Sequence, residues 1–79
     1  MANKKLERLQ TRPKDFTWSE LVSLLEGFGY VVKNGKGSGR KFIDADNRKI
    51  LLHEPHPEKT LKAYVIENVL TRLEEHGKI

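Results

Sequence analysis

The spacing of apolar residues along the chain changes twice, from helical to alternating and back to helical. Trp18, Leu21, Val22, Leu25 and Phe28 recur every three or four residues, which gives a helix one apolar face. Thr17 and Glu20 stand three apart at its start, the spacing of a capping box, and Phe16 and Leu21 flank them at the hydrophobic-staple positions. Gly29 (or Gly27) can take the left-handed conformation that stops a helix, so the pattern predicts a helix over 18–28. Beyond it lie three short β-prone runs, Tyr30 to Lys33, Arg40 to Asp44 and Lys49 to His53. Asn34-Gly35, the strongest short hairpin signal, and the glycines after it separate the first two, and the turn Asp44-Ala45-Asp46-Asn47 the last two. Links this short predict an antiparallel meander, with Phe42, Ile50 and Leu52 on its covered face. The prolines of Glu54-Pro55-His56-Pro57-Glu58-Lys59 make that stretch an extended loop. Helical spacing then returns in Leu61, Val65, Ile66, Val69, Leu70 and Leu73, predicting a last helix over 61–76 with Thr60 as N-cap and Gly77 just past its end.

Ahead of all this, residues 2–11 offer only Leu6 and Leu9 as apolar side chains, enough for one amphipathic turn, and Arg12-Pro13 interrupts it. The sequence therefore predicts an N-terminal arm over 1–15, mobile or loosely docked, and one domain over 16–79. That domain is an α+β fold of order α-β-β-β-α, a three-stranded antiparallel sheet covered on one face by two helices.

Composition narrows what such a domain can do. A chain of 79 residues buries only about 60–65% of its unfolded surface, which leaves little room for a deep pocket. No run approaches the roughly 18 apolar residues of a membrane span, and no apolar segment near Met1 resembles a secretory signal. Cysteine is absent, which excludes disulfides, thiolate metal sites and a cysteine nucleophile and fits a reducing cytoplasm. A net charge of +4 and a pI near 9.5 point to a polyanionic partner, nucleic acid ahead of membrane.

The charge is concentrated. Between residues 33 and 49 six cations (Lys33, Lys36, Arg40, Lys41, Arg48, Lys49) face two carboxylates (Asp44, Asp46), an excess as large as that of the whole chain. In Gly35-Lys36-Gly37-Ser38-Gly39-Arg40-Lys41 the glycines let backbone N–H groups approach a phosphate while Lys36, Arg40 and Lys41 supply charge. Without that role the stretch is an ordinary hairpin turn with solvated charges. His53 and His56 follow, the two side chains near the cluster able to exchange a proton near neutral pH. Metal-free RNA cleavage needs a base for the 2′-hydroxyl proton, an acid for the leaving 5′-oxygen and cations around the phosphorane. Two histidines beside lysine and arginine could divide those roles, or could simply pack the loop. His53, Glu54 and His56 lack a fourth ligand for zinc, so no metal is expected. Lys59 and Lys62, at the start of the last helix, form a second phosphate-binding candidate. Trp18, Phe16 and Phe28 read as core; Tyr64 could stack a base, but its helical spacing favours core; and His76 reads as a structural residue of the last helical turn.

Four stretches together resemble the HicA toxins of bacterial toxin–antitoxin pairs. They are Ser19 to Leu25 with Gly29-Tyr30, the Gly37-Ser38 hinge leading to Phe42, the Pro55-His56-Pro57 loop, and the final helix. The resemblance covers roughly residues 16–79 and implies the double-stranded-RNA-binding-like fold. It also implies a metal-independent endoribonuclease without cofactor that binds and cleaves mRNA. Such a protein is a cytoplasmic toxin, a monomer when free, silenced by a HicB-like antitoxin in a hetero-oligomer. In the family's GSHxxF pattern a histidine taken as catalytic follows the glycine-serine pair, whereas here Gly39 follows Gly37-Ser38. That histidine has no counterpart, so the expected catalytic pair is His56, which matches the family's loop histidine, with His53. The expected RNA contacts are Lys36, Gly37, Ser38, Arg40, Lys41, Lys59 and Lys62. Gly39 equally fits a non-catalytic RNA-binding module on the same fold, and a basic face serving only an acidic protein partner is a third reading.

Overall fold

A capping box starts the central helix, α2 (Trp18–Gly27). In the computed structural model, which describes residues 4–55 and 58–79, the Glu20 N–H donates to Thr17 Oγ1 and the Thr17 N–H to Glu20 Oε1, both at 3.2 Å. Phe16 and Leu21, the staple residues, are fully buried. Gly29 ends the helix with φ of +94°. There the Tyr30 N–H reaches Leu25 C=O and the Gly29 N–H reaches Glu26 C=O, a Schellman arrangement. Gly77 repeats it at the end of α3 (Ala63–Glu75), with φ of +71° and bonds from Lys78 to Leu73 and from Gly77 to Glu74.

Between the helices, β1 (Val31–Asn34), β2 (Gly39–Ile43) and β3 (Lys49–His53) form an antiparallel meander in chain order. Val32 pairs with Phe42, Phe42 with Ile50, and Arg40 with Leu52. The side-chain period of two puts Phe42, Ile50 and Leu52 on the buried side, as their spacing predicts, beneath Leu21, Leu24 and Leu25 of α2 and Ile66, Val69 and Leu73 of α3. The fold is thus the α+β arrangement expected, with both long helices on one face.

Four local expectations are corrected. Leu9, on the N-terminal helix α1 (Lys4–Gln10), is completely buried in the common core, so the arm is docked rather than loose. Arg8 fastens it, bonding Glu20 at 2.6 Å and Asp15 at 2.8 Å while lying over the Phe16 ring, and Arg12 pairs with Glu67 of α3 at 2.5 Å. Second, α3 starts at Ala63 and Thr60 is not its cap. Lys59 C=O accepts from Trp18 N–H and Leu61 N–H donates to Phe16 C=O, so the chain before α3 is held extended in a bridge to the start of α2. Third, Asn34-Gly35 is not the turn. Asn34 still pairs with Arg40, the Gly35 N–H donates to Gly39 C=O, and the Gly39 N–H donates to Lys36 C=O. Two residues therefore oppose one, a bulge, and Gly37 takes the positive φ (+58°) at the tip. Fourth, Tyr64 is 71% exposed, because it precedes the apolar stripe of α3 and faces away from it. Trp18 and Phe28 are half-buried and pack against the core edge, Trp18 with its ring centroid 5.8 Å from that of Phe42.

Candidate nucleic-acid interface and active site

One end of the sheet gathers most of the residues nominated for chemistry. The bulged β1–β2 hairpin folds against the end of β3, and the Glu54 N–H donates to Ser38 C=O at 2.8 Å. The backbones at Gly35 and Gly39 approach so closely that a Cβ at either would stand 3.2 Å from a facing carbonyl oxygen. His53 is the direct cross-strand partner of Gly39. Side chains at opposed positions share a face, so the imidazole reaches from β3 the space that a side chain at 39 would use from β2. Its Nδ1 lies 3.3 Å from Ser38 Oγ.

Gly39 and His53 themselves line a shallow cleft of about 230 Å³ with Gly35, Lys41 and Leu51, and further clefts adjoin it. One, about 280 Å³, lies between His53, Glu54 and Pro55 on one side and Lys62, Tyr64 and Val65 at the start of α3 on the other. A second joins Glu54 and Pro55 to Thr17, Trp18 and Lys59, and a third joins them to Gly37, Ser38 and Arg40. Hairpin, β3 end and the approaches to α2 and α3 therefore converge on 53–55. The structure brings together Gly37, Ser38, His53, Lys59 and Lys62. His56, the other histidine nominated for catalysis, lies outside the described residues.

Arg40 is tied into the fold. Its side chain is on the helix-covered side, where one guanidinium nitrogen donates to Gly37 and Gly39 C=O (3.0 and 2.8 Å) and Nε pairs with Glu54 at 3.2 Å. It clamps the hairpin to the loop after β3. Lys36, at the exposed tip, and Lys41, on the open face of the sheet, have no ion-pair partner among the described residues. No group of three or more histidine and carboxylate side chains fit to hold a metal occurs among the described residues. Nor does any described helix have the length and apolarity to cross a membrane.

A second polar cluster, at the opposite end of the sheet, escaped sequence reasoning. Asp44 opens the β2–β3 turn, and its Oδ1 accepts from the Asp46 and Arg48 N–H groups at 3.0 and 2.7 Å. Its buried Oδ2 faces Lys78 Nζ at 3.2 Å. Burial alone would raise this carboxyl, but the Arg48 N–H, Lys78 and the Asp46 N–H outweigh it and hold its pKa below the usual value. Lys78 also lies over the Tyr30 ring, whose hydroxyl meets His76 Nδ1 at 2.6 Å. Burial, with the Asp44 charge, pushes the Tyr30 phenol up to about 12. The signal was an aspartate followed two and four residues on by turn residues, which the local pattern gives only as a turn. The partner from the C-terminus, Lys78, is far away in sequence.

A capped helix, a meander and a closing helix, with a glycine-rich basic hairpin set against a histidine, define a small α+β domain. The sequence model described as the HicA toxin of bacterial toxin-antitoxin matches residues 18–75, well over half of the chain. The chain belongs to that family and is a toxin of a toxin–antitoxin pair. No curated protein and no solved structure matches it.

Proposed function

We propose that this toxin is a metal-independent endoribonuclease that binds and cleaves mRNA and is silenced by a HicB-like antitoxin. The observation carrying the reading is the Ser38–His53 contact beside the cationic hairpin, with the imidazole directly across the ladder from Gly39. If Nδ1–H donates to Ser38 Oγ, Nε2 keeps its lone pair, which is the form a general base needs. His53 would take the 2′-hydroxyl proton as that oxygen bonds to phosphorus. The bond to the 5′-oxygen breaks, and that oxygen leaves with a proton from a second group, the role assigned to His56. Lys36, Lys41, Lys59, Lys62 and the N–H groups around Gly37 and Ser38 would carry the phosphorane and backbone charge. Arg40 serves by fixing the hairpin rather than by touching phosphate. Gly39 favours a second reading, a non-catalytic RNA-binding module, because the strand position where the family carries its histidine has no side chain.

Purified protein, assayed on RNA in EDTA, separates the two. Cleavage should persist without divalent ions, and His53→Ala and His56→Ala should each lower it by about 10²–10⁴ while leaving RNA affinity nearly intact. Parent-like cutting by both variants would make histidine catalysis wrong. A parent that binds RNA and never cuts would establish the binding module instead.

A further inference from the structure

Tyr64 sits in the first turn of α3, outside the apolar stripe that holds this helix to the core, and is 71% exposed. It does not stand alone on the surface. Its side chain helps line the 280 Å³ cleft whose other wall carries His53 and Pro55, and buried Leu61 and half-buried Val65 add apolar surface to the same cleft. Two carboxylates line it as well. Glu54 is occupied by Arg40 Nε at 3.2 Å. Glu58 is exposed and has no ion-pair partner among the described residues. A free carboxylate repels phosphate and accepts from N–H donors, so this cleft suits the edge of a base better than a sugar-phosphate backbone.

We infer that the cleft is a base subsite, in which an unpaired guanine stacks on the Tyr64 ring and donates its N1–H and N2–H to Glu58. The inference rests on the RNA reading above and names the nucleotide that the site selects. Unpaired bases are held by stacking on aromatic rings, and a cleft of about 280 Å³ has room for one base rather than a duplex. Guanine alone among the four bases offers two adjacent donors on its Watson–Crick edge, a match for the two oxygens of a carboxylate. Adenine and cytosine would turn a ring-nitrogen lone pair toward Glu58, and uracil its carbonyl oxygens. Lys62, on the same wall as Tyr64, would take the phosphate flanking the stacked base. Because His53 lines the opposite wall, the captured nucleotide would lie beside the bond to be cut. Tyr64 and Glu58 would thereby set the sequence preference of cleavage.

The experiment titrates purified chain with a labelled oligouridine carrying a single central guanine, and with the same strand carrying inosine, which lacks the 2-amino group, or adenine in its place. 2′-O-methyl sugars block attack by the 2′-hydroxyl, so binding is read by fluorescence anisotropy on intact strands. The parent is compared with Tyr64→Ala, Tyr64→Phe and Glu58→Gln, all at exposed positions and each checked for folding by circular dichroism. The parent should prefer guanine to inosine and adenine by about tenfold. Tyr64→Ala should weaken the guanine strand by about five- to a hundredfold at an unchanged salt slope, while Tyr64→Phe stays within about threefold of the parent. Glu58→Gln should erase the preference for guanine. Binding by Tyr64→Ala within about twofold of the parent, or a parent indifferent to the central base, would overturn the inference. So would a loss confined to titration with purified antitoxin, which would make Tyr64 a protein contact. A parent that binds the strands but never cuts unmodified RNA defeats the ribonuclease reading alone and leaves the titration to decide the subsite, whereas a parent that binds none of them defeats both.

Discussion

Tyr30 shows how one side chain can tie together residues distant in sequence. Its ring is buried where α2 passes into β1, its hydroxyl meets His76, and Lys78 lies over its face. The phenol is pushed from its ordinary 10.0 up to about 12. A folded-state pKa above the unfolded one means a stabilisation fully present below about pH 10 and lost as pH rises toward 12. Tyrosinate absorbance followed in a Tyr64→Phe background should therefore show the remaining phenol ionising near 12, and ionisation at the ordinary value would mean that the ring is not buried. Asp44 has the opposite sign. Its carboxyl is held below the usual value, so its contribution is present above the ordinary carboxylate range and disappears as pH falls through the lowered one. Lys78→Ala should flatten the acid limb of a plot of unfolding midpoint against pH. An acid limb as steep as the parent's would show that Lys78 does not act on this carboxylate.

The elements were legible in proportion to how local their causes are. The capping box at Thr17 and Glu20, the left-handed glycines at 29 and 77 and the alternation through Phe42, Ile50 and Leu52 act over a few residues, and each is where the spacing puts it. Thr17→Ala should accordingly cost about 1 kcal/mol in chemical denaturation, through loss of the cap. What was missed depends on distant partners. Leu9 looks like half of a weak amphipathic turn until Arg8 and Arg12 find Glu20 and Glu67, and Thr60 looks like a cap until its neighbours bridge to Phe16 and Trp18. Asn34-Gly35 carries the stronger turn preference, yet the bulge moves the tip to Gly37. At the site, charge and histidine content were readable, whereas the facing of Gly39 and His53 and the capture of Arg40 by carbonyls needed the register. The docking of α1 has its own test. Leu9→Ala should cost about 2–5 kcal/mol, as for a fully buried leucine, and a variant melting like the parent would return α1 to the status of a loose arm.

Over the whole molecule, the net charge of +4 is distributed unevenly, and the distribution matters more than the total. Acidic side chains at 15, 20, 44, 46, 54, 67 and 75 are engaged by Arg8, Arg12, Arg40, Arg48, Arg72 or Lys78. In consequence the arginines largely serve the fold, and the charge available to a polyanion comes from lysines on the hairpin, the open sheet face and the approach to α3. Lysine and arginine were interchangeable as sequence signals here and are not interchangeable in the structure. RNA affinity should therefore fall steeply with salt, and Lys36→Ala, Lys59→Ala and Lys62→Ala should each lower the slope of log affinity against log salt by about 0.7, the value for one phosphate on a single strand. Arg40→Ala should behave differently. It removes the clamp on Gly37, Gly39 and Glu54, so it should reduce thermal stability and cleavage together while changing the salt slope little. A full unit lost from the slope in Arg40→Ala, with stability unchanged, would place its guanidinium on phosphate and overturn the division of labour between arginine and lysine.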